Sequence, residues 1–145
     1  MTSRIAFSRS ETLGPLGGIA TAAKALKPEI EVIGVQTALY PAMKQALAGE
    51  KIAVGGATIA EGIAVKQPGQ LTREIVRALV DDILLVEEQT IERAIALLVN
   101  VEKTVVEGAG AAGLAAILSQ PERFRGRRVG TVLCGGNIDQ RLLAS

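Results

Sequence analysis

VGTVLCGGNID, residues 129–139, decides how this chain is read. Its opening is apolar, β-branched and too short for a helix of its own, which predicts a strand of a covered parallel sheet over residues 128–134. The thiol of Cys134 and the bare backbone of Gly135 and Gly136 follow at the carboxyl end. Ligands bind at that end in open parallel sheets, and glycine there lets another group approach the main chain closely. Working outward, short apolar runs at residues 4–8, 31–36 and 82–86 predict further strands, each followed by a helical period. Helices are expected over residues 16–26, 40–48, 72–80, 87–103 and 109–119. Leu16, Ile19, Ala20, Ala23 and Leu26 define the face of the first, which stops before Pro28. Gly49 closes the second, Thr72 stands at a capping position for the third, and Ile91, Ala94, Ile95, Leu98 and Val101 line the fourth. The fifth is almost wholly apolar and should be buried on most sides. The alternation predicts an α/β fold in three layers, a mostly parallel sheet flanked by helices. Residues 51–69 lack a period and read as an irregular excursion of the kind that often carries function.

Composition agrees with this class. The 145 residues suffice for a single domain spanning 1–145. Hydrophobic residues make up 48%, with Phe7, Tyr40 and Phe124 the only aromatics, so the core must be built from Ala, Val, Ile and Leu. A net charge of +1 gives no field that would steer the chain to nucleic acid or an anionic membrane, and neither is expected as a partner. Arg123, Arg125, Arg127 and Arg128 form the one basic run, read as a solvated loop entering a strand. One cysteine precludes an intrachain disulfide, and without histidine no transition-metal site is expected. These features, with no secretory leader or membrane span, suit a cytoplasmic protein.

Three positions invite chemistry, each with a plainer reading beside it. Cys134 faces either a ligand or the core, since free cysteine is commonly a buried apolar thiol. Glu107, in VVEGAGAAGLAAI (residues 105–117), stands where a helix of small residues begins, as a cap, a solvated carboxylate or a pocket wall. Gly62, in TIAEGIAVKQPGQLT (residues 58–72), would by default be a turn glycine.

Taken together these stretches resemble the catalytic domain of threonine dehydratases and serine racemases, pyridoxal-phosphate enzymes of the tryptophan-synthase β type. The resemblance runs from about Gly14 onward and implies an incomplete large domain of that fold. It also implies that Cys134 faces the pyridine nitrogen of the cofactor, that Gly135 and Glu107 lie beside the ring, and that Gly62, in TIAEGIAV against the family's IADGIAV, lays its backbone along it. Gly14 matches a glycine of the family's phosphate loop.

The departures weigh as much as the matches. The family's Schiff-base lysine lies in an SFKxRG-type motif, and nothing of that kind occurs here; Lys24, Lys27, Lys44, Lys51, Lys66 and Lys103 read as solvated charge. Where the family has GGGGLxxGIA, this chain has ETLGPLGGIA, so Glu11, Thr12 and Leu13 crowd the cup and Pro15 removes a donor. In GVQTALYPA, Gln36 replaces the acid of the family's GVEP, and Ala42 falls where a second acid would help, so no divalent metal is expected.

The resemblance implies part of a threonine (or serine) ammonia-lyase, which converts threonine to 2-oxobutanoate and ammonia. The isolated chain is expected to be inactive and to hold pyridoxal phosphate only loosely, because its base is missing. The alternative is a non-enzymatic truncated homologue acting as an interaction or assembly domain. Either way a homodimer, or a partner supplying the N-terminal half, is expected to cover the exposed apolar faces. The chain stops at Ser145, so no appended regulatory domain is expected.

Overall fold

The computed structural model describes residues 4–9 and 14–136, the side chains of 4–9 and of Gly14 excepted. Four strands, β1 (Arg4–Arg9), β2 (Glu31–Thr37), β3 (Asp82–Val86) and β4 (Arg128–Thr131), lie in the order β3-β2-β1-β4, every pair parallel. Helices α1 (Gly14–Leu26), α2 (Ala42–Ala48), α3 (Gln70–Leu79), α4 (Glu88–Asn100), α5 (Gly108–Ser119) and α6 (Pro121–Phe124) connect them, with a 3-10 turn at Glu61–Ile63. The expected α/β architecture is present.

Successive strand residues point to opposite faces, and that alternation builds two cores. Val32 and Ile83 face α1, α2 and α3 through Leu16, Ala20, Met43 and Val76. Ile33, Val35, Leu84 and Val86 face α4 and α5. Helices cover both faces of β2, so its sequence EVIGVQT shows no polar alternation and is buried almost throughout. Crossovers between parallel strands are right-handed. Steps from β1 to β2 to β3 therefore leave their helices on one face, and the return past β1 to β4 carries α4 and α5 across the other. Alanine and glycine let α5 be buried along most of its length.

Several boundaries differ from the sequence reading. Helix α1 begins at Gly14, ahead of the expected start, because Pro15 falls in the first turn, where its missing N–H has no partner to lose. Helix α2 begins only after Pro41 and closes on Gly49 at φ 73°, as expected of a left-handed stop. Gly69 caps α3, whereas Thr72 lies inside its first turn. Helix α4 ends at Asn100, before the expected Lys103, whose φ of 53° no helix accommodates. Strand β4 stops at Thr131, and residues 132–134 leave the sheet. No helix among the described residues is long and apolar enough to cross a membrane.

The reading of the basic run is corrected at Arg123 and Arg127, whereas Arg125 and Arg128 are exposed as expected. Pro121 starts the short α6, and Arg123 on it donates to Asp82 at 2.6 Å and to Glu31 at 3.2 Å; Arg127 pairs with Glu31 as well. These bonds tie the start of β4 to the starts of β2 and β3. Partial burial pushes the Asp82 carboxyl up, but hydrogen bonds from Arg123 and the Ile83 N–H outweigh it and hold the group below its ordinary range. A carboxylate depressed in the folded state stabilises above its unfolded pKa, and that contribution is lost as pH falls through the folded value. The stability gap between the wild type and Asp82→Asn should therefore close as pH drops below about 4. Urea midpoints measured across that range check it; a gap that stays constant would contradict it.

Candidate functional site

The strand order reverses between β1 and β4, which makes the carboxyl ends of these two neighbours the topological switch point of the sheet. The chain leaving β1 passes through residues 10–13, so Glu11, Thr12 and Leu13 lie outside the described residues. It then enters α1 at Gly14. The chain leaving β4 carries Cys134 and Gly135; Asn137, Ile138 and Asp139 lie outside the described residues.

Beyond Thr131 the backbone turns from β1 onto the start of α5. The Glu107 N–H donates to the Gly135 carbonyl at 3.1 Å. Gly110 lets the two segments close, since a Cβ there would stand 2.7 Å from the Cys134 carbonyl oxygen. Gly135 has φ 88°, and a Cβ on it would collide with the Glu107 carboxylate. Glu107 thus lays its carboxylate over a bare stretch of backbone and makes no side-chain cap to α5. Cys134 is half-buried beside it, past the strand end instead of on the strand. Cys134 is therefore not a fully buried thiol of the core.

The third motif meets the same helix end. A Cβ on Gly108 would collide with the Ile59 carbonyl and stand 2.9 Å from the Ala60 nitrogen, so the first residue of α5 presses on the Ile59–Ala60 peptide. Ala60 and Ile63 are fully buried. Gly62 lies half-buried between them, in the 3-10 turn. The start of α5 therefore gathers two stretches far apart in sequence, with Gly108 against Ile59–Ala60 and with Gly110 and Glu107 against Cys134–Gly135.

Two further residues organise this edge, Glu88, which the sequence reading did not single out, and Gln36, to which it gave another meaning. The Glu88 carboxylate accepts from the Thr37 hydroxyl, from the Thr58 hydroxyl at 2.8 Å and from the Ile59 N–H at 2.8 Å. An acid in a first turn reads only as a helix start, so nothing local marked it. Gln36, read as the residue that replaces an acid of the family's cation site, is fully buried; its amide donates to the Tyr40 carbonyl at 3.1 Å and accepts from the Lys44 N–H at 3.0 Å. It caps α2 from the neighbouring strand, where Pro41 has no side chain that can do so. Ala42 simply opens α2, and no three His, Cys, Asp or Glu among the described residues cluster as a metal site would.

Four of the six lysines are engaged elsewhere. Lys24 pairs with Asp81 and Lys27 with Glu29, while Lys44 donates to the Ile83 carbonyl and Lys103 to the Asn100 carbonyl. Asp81 and Ile83 mark the amino end of β3, opposite the switch point. Lys51 and Lys66 are exposed.

Comparison with known proteins bears on this arrangement. The sequence model of the family described as pyridoxal-phosphate dependent enzyme matches residues 5–135. The L-threonine ammonia-lyase of Thermotoga maritima is 43% identical over 133 residues, which covers 90% of this chain and 33% of that protein. The catabolic L-threonine dehydratase of Escherichia coli is 42% identical over 130 residues, 87% of this chain and 40% of that one. Among solved structures, a threonine deaminase from T.th. superposes with a TM-score of 0.85 at 36% identity, covering 93% of this chain and 50% of that one. Maize serine racemase gives 0.86 at 31%, covering 99% and 45%. The chain thus spans a third to two fifths of the length of these curated relatives.

Proposed function

The chain belongs to the family of pyridoxal-phosphate dependent enzymes, and from that premise we propose that it forms the cofactor-facing part of a threonine ammonia-lyase large domain, inactive as a 145-residue polypeptide. The observation that carries this reading is the convergence of Glu107, Cys134 and Gly135 at the sheet's switch point, with the Gly62 turn held against the same helix end. Threonine as substrate follows the names of the similar proteins.

The residues present fit the ring side of the cofactor. A half-buried thiol, a carboxylate lying on bare glycine backbone and a small-residue helix start leave a flat, close-approach wall. Cys134 would face the pyridine nitrogen, Gly135 and Glu107 would flank the ring, Gly62 would line it, and Gly14 would open the helix that faces the phosphate. Pyridoxal phosphate, when bound, supplies the electron sink for loss of the Cα proton and the β-hydroxyl. The chain's own share is to bind and orient. Cys134, which offers no carboxylate to stabilise a protonated ring nitrogen, would leave that nitrogen unprotonated, and the α5 start would cover one face of the ring. The amine that would take the Cα proton has no candidate here, since the lysines are engaged elsewhere or exposed.

The test is titration of the purified chain with pyridoxal phosphate, followed by amide chemical shifts, with threonine added and 2-oxobutanoate assayed. Expected are weak, reversible shifts at Gly62, Glu107, Cys134 and Gly135, with no borohydride-fixed adduct and no turnover. Shifts confined to other residues would overturn the site. An adduct or measurable turnover would overturn the inactivity.

A further inference from the structure

We propose that Glu88 is the positioning residue of this site, an acceptor-only carboxylate that sets the conformation of residues 58–63 and so places Gly62; the inference rests on the reading of Gly62 as a site wall. Residues 50–60 contain no helix or strand, yet they are not loosely held. Gly55 N–H donates to the Leu39 carbonyl, the Tyr40 hydroxyl donates to the Gly56 carbonyl, and Glu88 then takes both the Thr58 hydroxyl and the Ile59 N–H. Gly108 closes on the same Ile59–Ala60 peptide from α5. The segment entering the 3-10 turn is thus gripped between the first residues of two helices.

The donors leave Glu88 no substitute. The fully buried Thr37 hydroxyl accepts from the Leu39 N–H, and the Thr58 hydroxyl accepts from the Ala60 N–H. Each hydroxyl proton is directed at Oε1 of Glu88, while the Ile59 N–H is directed at Oε2. Glutamine at this position fails in either orientation. With its oxygen toward the hydroxyls, its NH2 confronts the Ile59 N–H; flipped, its NH2 takes the place of the acceptor that both hydroxyl protons now use, and each hydroxyl must turn its proton elsewhere. Only a group that accepts at both oxygens satisfies the set, and aspartate is one methylene too short to span it.

Amide hydrogen exchange on the chain without added cofactor tests this. Glu88→Gln should raise exchange across residues 58–63 by about tenfold or more relative to the amides of β1, β2 and β3. Val76→Ala, a core truncation on the opposite face of the sheet, supplies the pattern of a general loss of stability. Equal patterns in the two variants, or unchanged protection of residues 58–63 in Glu88→Gln, would overturn the proposal. Selective loosening in Glu88→Gln, with pyridoxal-phosphate shifts absent from the wild type, would instead leave Glu88 as the anchor of the segment and remove the ligand reading alone.

Discussion

Gly108→Ala is expected to cost about 2–3 kcal/mol of folding stability, against a gain of less than about 1 kcal/mol from replacing glycine in a helix. The added Cβ would collide with the Ile59 carbonyl oxygen and lie 2.7 Å from its carbon and 2.9 Å from the Ala60 nitrogen. All three are main-chain atoms, so no rotamer change relieves the overlap. Either α5 withdraws or the Ile59–Ala60 peptide moves, and the latter strains the hydrogen bonds to Glu88 and the packing of Ala60 and Ile63. The melting temperature should fall by roughly 10 °C for a domain of this size. Gly18→Ala is the matched control, because a Cβ there meets nothing within 4 Å; it should leave stability unchanged or raise it by up to about 1 kcal/mol. Equal melting temperatures for Gly108→Ala and the wild type would show that the α5 start does not press on the 58–60 segment as described.

Gln36→Leu should lose roughly 2–4 kcal/mol even though the side chains are of similar volume. The apolar replacement strands the Tyr40 carbonyl and the Lys44 N–H, each worth about 1–3 kcal/mol when its partner is removed in a buried setting. Gln36→Glu, which brings back the acid of the family's pattern, keeps an acceptor for Lys44 but sets a second oxygen against the Tyr40 carbonyl in a fully buried site. It should be destabilised as well, and added magnesium or calcium should not restore it. Urea unfolding of both variants decides the matter. Stability within about 0.5 kcal/mol of the wild type for Gln36→Leu would mean that the capping bonds contribute nothing, and rescue of Gln36→Glu by a divalent cation would contradict the expectation that no divalent metal binds here.

Local chemistry made much of this protein legible from its residues. The short apolar runs became β2 and β3 within a residue of their expected bounds, because a strand covered on both faces shows its burial as an unbroken apolar run. Gly49 ended α2 for a reason contained in one backbone angle. The motifs around Gly62, Glu107 and Cys134 were likewise visible, as was the family they resemble. Tertiary structure alone decided the rest. That β4 ends at Thr131, leaving Cys134 beyond the strand, follows from its segment turning onto the start of α5. The basic run became a tie because Arg127 meets Glu31, 96 residues away. Glu88 carries its role through Thr37, Thr58 and Ile59, about 30 to 50 residues away, and a polar side chain in sequence gives no sign of which distant donors it will meet. The physical distinction is range: propensity, periodicity and caps act within a few neighbours along the chain, whereas the order β3-β2-β1-β4, and with it the switch point that gathers the site, exists only once the crossovers have brought remote segments side by side.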